Sequence, residues 1–249
     1  MLLAFDTSSA AVTVALATPD GEIVASSTTV DALRHGELLA PAIAAALEGA
    51  GVTPRDLTGI AVGVGPGPFT GLRVGLVTAR TMGEVLGIEV AGVCSLDVLA
   101  RQSALTSPVA VATDARRKEI YWALYDGPAA DGSRRRLEGP AVGKPAEVAH
   151  VLSGLPVIGR GAALYAEALG IEPSGGAGGA PAADGAGGGG AGAAGGGGLA
   201  TTVGGVAEYP SAEVLAIGVV TRTLEVVAPE PLYLRRPDVT MSSGPKSVL

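Results

Sequence analysis

The sequence is short of the residues on which several classes of protein depend. Cys94 is the single cysteine, and only two histidines, His35 and His150, occur among 249 residues. No disulfide framework is available, so a reducing compartment is expected. Asp6 comes too early for the apolar region of a signal peptide, and no apolar run approaches the roughly 20 residues that cross a bilayer. We therefore expect a soluble cytoplasmic protein.

The charge balance argues against a free-standing nucleic-acid-binding protein. Lys and Arg number 17 against 24 Asp and Glu, which gives a formal net charge of −7. The two short basic runs, 116–118 and 134–136, are more typical of solvated surface than of a phosphate track. Hydrophobic residues make up 47% of the chain, enough for one large core or two modest ones.

Strand and helix patterns repeat in two halves of the chain. Each half begins with strand-like runs, which predicts two successive α/β lobes with mixed sheets, 1–105 and 106–249. In the first lobe the predicted strands and helices alternate as three strands, helix, strand, helix, strand and helix. In the second lobe we predict strands at 109–119, 120–127 and 156–159 and helices at 144–155 and 211–227.

One segment of the second lobe does not fit this pattern. Of the 25 residues at 174–198, 14 are Gly and eight are Ala, with no bulky side chain to bury. Side chains this small bury too little apolar surface to offset the conformational entropy that the segment would lose on ordering. We therefore predict a disordered insert without a functional role.

The stretch "DTSS", Asp6 to Ser9, follows the first predicted strand. A carboxylate followed by three hydroxyls in a tight turn suits contact with phosphate or magnesium. The alternative is a turn whose side chains satisfy its own backbone, and four residues alone favour that interpretation.

The stretch "GPGPFTGLRVG", 65–75, precedes a predicted helix with Thr70 as its N-cap. It matches no phosphate-loop pattern, and its two prolines remove backbone donors. Small residues then recur every four positions, at Gly71, Gly75, Ala79 and Gly83. Such a stripe indicates close approach of another backbone, either within the chain or in an intermolecular helix bundle.

The two histidines do not build a recognisable catalytic or metal site. A zinc pair on one helix needs a second His four residues after His35, and position 39 is Leu. No Ser-His-Asp arrangement is apparent either. We predict no catalytic residue and no metal ligand in this chain.

Six stretches occur in an order that resembles the bacterial TsaB (YeaZ) family: "FDTSS", "R-HGELLAPAI", "GVGPGPFTGLRVGL", "CSLDVLA", "DARRKEIYWALY" and "PEPLYLRRPDV". Proteins of this family serve as the accessory subunit of the tRNA threonylcarbamoyladenosine machinery. The resemblance implies a two-lobed actin-like ATPase (ribonuclease H-like) fold, in which each lobe is a mixed sheet with a β-meander flanked by helices.

The resemblance also implies a non-catalytic role. A scaffold or activator of this family pairs with the catalytic subunit TsaD and the ATPase TsaE. The complex modifies the adenosine 3′ of the anticodon in ANN-decoding tRNAs, so tRNA is expected to be reached only through the complex. TsaD carries a His-x-x-x-His metal pair, which here reads His35-Gly-Glu-Leu-Leu39 and lacks its second ligand. Without its partner, the chain is expected to form a homodimer.

The residue patterns and the family resemblance together predict two sets of site residues. Asp6, Thr7, Ser8 and Ser9 are expected to line a degenerate nucleotide cleft. No intrinsic cofactor is implied, and ATP or ADP binding is expected to be weak and to depend on the partners. The predicted partner interface comprises His35, Leu38, Leu39, Ile43, Thr70, Gly71, Leu72, Gly75, Ala79 and Gly83.

Three features depart from the family pattern, the Gly/Ala-rich insert among them, and alternative functions stay open. Pro68 replaces a serine in the loop, and Arg160 stands where asparagine is common. The alternatives are a small-molecule kinase or acyltransferase of the same superfamily and, less favoured, a metallopeptidase. A kinase needs phosphate-binding residues in both lobes, and the only candidate stretch in the second lobe is "GRGA".

Overall fold

A computed structural model describes residues 1–171, 202–203 and 206–235. The Gly/Ala-rich segment 174–198 lies outside the described residues. No helix in the described part is long and apolar enough to cross a membrane.

The helices and strands run as follows: β1 (Leu2–Asp6), β2 (Ala11–Ala17), β3 (Ile23–Val30), α1 (His35–Gly49), a 3₁₀ turn (Pro54–Asp56), β4 (Gly59–Gly65), α2 (Phe69–Leu86), β5 (Glu89–Cys94), α3 (Ser95–Gln102), β6 (Val109–Asp114), β7 (Ile120–Tyr125), β8 (Arg136–Gly143), α4 (Pro145–Leu152), β9 (Val157–Ile158), α5 (Arg160–Leu164), α6 (Ala166–Leu169), β10 (Thr202–Val203), β11 (Val206–Ala207), α7 (Ala212–Val220) and β12 (Val226–Val227).

Two mixed sheets form the two lobes. The first has the order β12-β5-β4-β1-β2-β3, with β1–β3 as an antiparallel meander and β4 and β5 parallel to β1. The second has the order β8-β7-β6-β9, again a meander with one parallel strand beside it. The predicted fold class, two lobes each with a mixed sheet, a β-meander and flanking helices, is confirmed.

The apolar residues of β1 explain why this strand lies at the centre of a covered sheet. Leu3 and Phe5 point to the face that α1 and α2 cover, whereas Ala4 points to the face that α7 covers, with Leu215 beside it. Because side chains alternate along a strand, an apolar residue at every position requires helices on both faces.

Three parts of the second half differ from the sequence-based prediction. β8 was not predicted, because its "EGP" centre has the composition of a turn. The helix expected over 211–227 ends at Val220, and the chain then turns back as β12 beside β5. α7 and β12 therefore lie on the first sheet, although they fall within 106–249, and the boundary at 105/106 stays a prediction.

A charged cluster around the buried Asp97 joins α3 to the second sheet. The Asp97 carboxylate accepts hydrogen bonds from the Tyr125 hydroxyl at 2.6 Å and from the Arg136 Nε at 2.9 Å and Nη2 at 2.5 Å. Burial, followed by the Asp97 charge, raises the pKa of Tyr125 well above its usual value. Both partners therefore hold their protons and donate to one carboxylate, which fixes α3 between the lobes.

α2 begins at Phe69, whereas an N-cap at Thr70 would place its first helical residue at Gly71. Pro68 occupies the N-cap position with an extended backbone, and Phe69 is the first helical residue. Thr70 is therefore not the N-cap, and it is exposed on the helix. The prediction was wrong because Pro68 already has the extended backbone that an N-cap requires.

The small-residue stripe of α2 packs inside the chain. A Cβ at Gly71 would overlap the Thr7 carbonyl, one at Gly75 the Thr7 hydroxyl and one at Gly83 the Val90 side chain. Ala79 is fully buried. The close approach that the stripe predicted is real, but the neighbour is the first sheet, so the stripe presents no surface to another protein.

Gly75 therefore tests how closely the helix and the turn approach. We expect Gly75→Ala to lower the free energy of unfolding by about 1–3 kcal/mol, because the added methyl overpacks the Thr7 contact. Chemical denaturation measures this difference. The matched control is Gly49→Ala at the end of α1, where a Cβ meets nothing within 4 Å. That change should cost nothing and gain up to about 1 kcal/mol. Equal stability of the two variants would show that the Gly75 contact is not tight.

Candidate functional site

The turn between β1 and β2 is built around a buried carboxylate. Asp6 is 1% exposed. Its Oδ1 accepts hydrogen bonds from the backbone N–H and the hydroxyl of Ser8, both at 2.7 Å. Its Oδ2 accepts from the Ser95 hydroxyl at 2.5 Å, and that hydroxyl in turn accepts from the Gly65 N–H at 3.2 Å. One carboxylate thus ties together β1, β4 and the start of α3.

The other two side chains of the turn are also bonded within the chain. The Thr7 hydroxyl donates to the Gly71 carbonyl at 2.8 Å, and the Ser9 hydroxyl accepts from the Ala11 N–H at 3.1 Å. The His35 Nε2 lies 2.8 Å from the Ser9 carbonyl, to which it donates. The arrangement agrees with the alternative in which the turn satisfies its own backbone.

Burial dominates the electrostatics of this turn. Removal from water raises the pKa of Asp6 above its ordinary value of 3.8, and the hydrogen bonds from Ser95 and Ser8 offset this only in part. The carboxylate is therefore less stable as a charge in the folded chain than in the unfolded one.

A cleft of about 200 Å³ lies between the lobes, next to the turn. The polar residues that line it are Ser8, Ser9, Ser95, Thr113, Asp114, Arg116, Arg160, Glu208 and Tyr209. A cavity of this size is smaller than the roughly 300–1,000 Å³ typical of sites for drug-sized ligands.

Most polar groups of the second-lobe wall bond to one another. Arg160 pairs with Glu208, with an Nη1–Oε2 distance of 3.0 Å. Asp114 accepts from the Arg116 N–H at 3.0 Å and from the Tyr165 hydroxyl at 3.2 Å. The Thr113 hydroxyl is a buried donor without a partner among the described residues. The cleft thus contains few uncommitted groups for a phosphate.

Residues 228–235 cross from the first lobe to the second, and we call them the strap. The Leu232 N–H donates to the Val64 carbonyl of β4 at 2.9 Å. The Tyr233 ring stacks on Phe69 at a centroid distance of 4.4 Å, and Arg73 Nε donates to the Tyr233 hydroxyl at 3.3 Å. No role was predicted for these residues, which the sequence marked only through the stretch "PEPLYLRRPDV".

The predicted partner interface is mostly buried within the chain. The buried members are His35, Leu39, Ile43, Gly71, Leu72, Gly75, Ala79 and Gly83. Only Thr70 is exposed, and Leu38 is half-buried. The apolar residues that α2 does present to solvent are Val77 and Val85, at 62% and 78% exposure. Helical spacing alone did not distinguish the outer face from the face on the sheet.

No metal centre is formed around His35. Its Nε2 is bonded to the Ser9 carbonyl, and Leu39 lies in the core at 1% exposure. Among residues 1–171, 202–203 and 206–235 no group of three or more His, Cys, Asp or Glu is placed to hold a metal ion.

The raised pKa of Asp6 predicts a specific dependence of stability on pH. The folded chain holds the Asp6 proton more tightly than the unfolded chain, so this residue's contribution is most favourable below pH 3.8 and is lost as pH rises through the folded pKa. Relative to Asp6→Asn, the wild-type protein should therefore lose stability as pH rises from about 4 to 7. Urea denaturation at several pH values measures the difference.

The Asn variant preserves the shape of the network, since its oxygen accepts from Ser8 and its amide donates to Ser95. Asp20→Asn in an exposed turn removes the same charge without touching that network and serves as the control. If the wild-type protein gained stability relative to Asp6→Asn over this pH range, the stated direction of the pKa shift would be refuted.

Comparisons with known proteins agree on one family. The family model described as "TsaD: tRNA N6-adenosine threonylcarbamoyltransferase" matches residues 22–170. The "tRNA threonylcarbamoyladenosine biosynthesis protein TsaB" of Bacillus subtilis is 35% identical over 128 residues, which are 50% of this chain and 54% of that protein. An uncharacterized protein of Mycobacterium tuberculosis is 46% identical over 148 residues, covering 59% and 66%.

Solved structures extend the similarity over nearly all of the chain. A protein of Pseudomonas aeruginosa described as similar to peptidase YEAZ superposes with a TM-score of 0.69 at 29% identity, covering 94% of this chain and 99% of that one. A structure described as YeaZ from the same organism gives a TM-score of 0.68 at 28% identity, with the same coverage.

The coverage of the curated relatives limits what is transferred from them. The chain spans between 40% and 66% of the lengths of the first curated relatives that it matches. The family model nevertheless covers more than half of the chain. The chain therefore belongs to the family described by that tRNA N6-adenosine threonylcarbamoyltransferase model, and within it the chain is similar to TsaB and YeaZ.

Proposed function

We propose that this chain is a non-catalytic scaffold and activator in the biosynthesis of tRNA threonylcarbamoyladenosine. It pairs with a TsaD-type catalytic subunit, and a TsaE-type ATPase joins the pair. The assembly modifies the adenosine 3′ of the anticodon in ANN-decoding tRNAs, and the chain reaches tRNA only within it. The similarity to TsaB supports a role in this pathway. The geometry around His35 supports a non-catalytic role beside a catalytic partner.

The observation that carries the proposal is the position of His35. Its ring is bonded to the Ser9 carbonyl, and the residue four positions later, Leu39, is part of the core. A metal-binding pair on α1 would require a histidine in place of Leu39 and a His35 ring that is not bonded to the Ser9 carbonyl. The chain therefore contributes surfaces to the reaction, while the partner contributes the metal-dependent transfer.

The surface that fits a partner is the outer side of α1 and α2. These two helices pack beside each other over one face of the first sheet. Val77 and Val85 lie two helical turns apart and are exposed on α2, and the exposed residues of α1 include Ala40 and Ala44. Small and β-branched apolar side chains allow close packing of partner helices. The same surface serves a homodimer when the partner is absent.

A small-molecule kinase or acyltransferase is the principal alternative that this fold allows. Such an enzyme needs free hydroxyls or amides to hold phosphate. Asp6, Thr7, Ser8 and Ser9 are already bonded within the chain, and Arg160 is paired with Glu208. These contacts favour the scaffold. Any ATP or ADP binding is accordingly weak and depends on the partners.

Charge placed on the outer side of α2 tests the partner surface. We expect Val77→Asp combined with Val85→Asp to weaken binding of the organism's TsaD-type subunit at least tenfold, because a carboxylate would be desolvated at each position. The melting temperature should change little, since both side chains are exposed. Isothermal titration calorimetry and thermal melts measure the two quantities.

Leu137→Asp on β8 is the matched control, since that residue is 53% exposed and lies in the second lobe. Unchanged partner affinity in the double α2 variant would exclude this surface. If the double variant lost only self-association, the surface would belong to a homodimer alone.

Metal content tests the division of labour. Protein purified without chelators should contain no stoichiometric zinc or iron and should transfer no threonylcarbamoyl group unless a TsaD-type subunit is added. Elemental analysis and a tRNA modification assay measure both quantities. A stoichiometric transition metal that is lost in His35→Ala would contradict the proposal and restore an enzymatic role.

A further inference from the structure

The hairpin between β6 and β7 contains three consecutive residues in the left-handed region. The φ angles of Arg116, Arg117 and Lys118 are 62°, 52° and 61°. This conformation is unfavourable for residues with a Cβ, and side chains other than Gly, Asn and Asp normally visit it as single residues. Three in succession, all basic, are unusual in a turn that Gly or Asn would form at lower cost.

Three hydrogen bonds within the hairpin hold this backbone. The Asp114 carboxylate accepts from the Arg116 N–H at 3.0 Å. The Ala115 N–H donates to the Glu119 carbonyl at 2.9 Å, and the Glu119 N–H donates to the Arg116 carbonyl at 3.0 Å. The turn is thus closed at its base while its tip stays exposed.

The strap supports the hairpin from outside. Arg235 donates through Nη1 to the Ala115 carbonyl at 3.0 Å, and its Nη2 lies 2.6 Å from Glu119 Oε2. Two residues earlier, Tyr233 stacks on Phe69 at the beginning of α2. The strap therefore places the hairpin near the beginning of α2, whose outer side is the proposed partner surface.

The chemistry of the tip is uniform. Residues 116–118 are exposed and basic in a chain whose net charge is −7. Backbone strain persists only where the surrounding structure over-determines it, and it clusters at functional sites. The tip offers no aromatic or apolar side chain, and such anchors usually dominate binding to a protein surface. Arg and Lys without apolar anchors are what a phosphate backbone selects.

We propose that Arg116, Arg117 and Lys118 bind the phosphate backbone of the RNA on which the assembly acts. This inference rests on the proposed function, because the partner on α1 and α2 holds the RNA at its reacting base. The hairpin, near the beginning of α2, then contacts the sugar–phosphate chain outside the partner's site. The contact is not specific for sequence, and it explains why so strained a turn retains three basic residues.

Neutralisation of the tip within the assembled complex tests the proposal. The variant is R116Q/R117Q/K118Q, and R55Q/K144Q/R222Q is a matched control that removes the same charge from exposed positions elsewhere. Binding of tRNA by the complex is measured at several salt concentrations. We expect at least a tenfold weaker affinity for the tip variant alone and a salt dependence whose slope falls by up to about 2–3.

The results separate this inference from the function on which it rests. A complex that assembles and modifies tRNA, but whose tRNA affinity is equal in the tip variant and the wild type, overturns the inference and leaves the proposed function intact. Failure of the wild-type chain to bind a TsaD-type subunit overturns the proposed function. A tip variant that no longer binds the TsaD-type subunit assigns the tip to a protein interface instead, which also overturns the inference.

Lys118→Gly separates strain from charge. Gly adopts φ near 61° without steric penalty, so the melting temperature of the variant should rise by about 2–4 °C. Its tRNA affinity within the complex should nevertheless fall. A higher melting temperature together with weaker RNA binding indicates a residue retained for function. A higher melting temperature with unchanged RNA binding would contradict the proposal.

Discussion

The buried Asp6 carboxylate is the contact on which the arrangement of the first lobe depends. It joins the β1–β2 turn to Ser95 at the start of α3, and through the Ser95 hydroxyl it reaches the backbone of β4. A Cβ at Gly63 would overlap the carboxylate, so the neighbouring strand contributes a residue without a side chain. With the turn fixed in this way, Thr7 lies against Gly71 and Gly75 and determines where α2 sits.

The same contact limits what the turn can do chemically. A phosphate site requires donors that are free before the ligand arrives, whereas the Thr7 hydroxyl is already bonded to the Gly71 carbonyl, and the Ser8 hydroxyl and N–H to Asp6. The fold has two lobes and a cleft, but most polar groups of the second-lobe wall bond to one another. The accessible features lie on the outer side of α2 and on the hairpin at 116–118, whose Arg116 also lines the cleft. This distribution is expected of a subunit that works through its surfaces.

Most of the fold could be predicted because strands, helices and turns depend largely on residues that are close together in the chain. Apolar runs and Gly–Pro turns located most of the strands, and the ordered motifs identified the family. β8 was missed because Gly139 and Pro140 interrupt its pattern, and the return of β12 to the first sheet depends on pairing between distant segments. The stripe from Gly71 to Gly83 correctly indicated a close neighbour. Periodicity indicates that one face of a helix packs closely against a neighbour, but not whether that neighbour is a sheet or another molecule. The residues predicted as the interface are therefore mostly those that pack on the sheet. Likewise, nothing in "DARRKE" reveals three left-handed residues.

Titration of the isolated chain with Mg·ATP and Mg·ADP by calorimetry tests most directly whether the turn serves structure rather than a ligand. With the turn and cleft closed by their own side chains, no saturable heat is expected at nucleotide concentrations up to the millimolar range. Stoichiometric binding in the micromolar range that disappears in Ser8→Ala, in a variant that remains folded, would contradict this account.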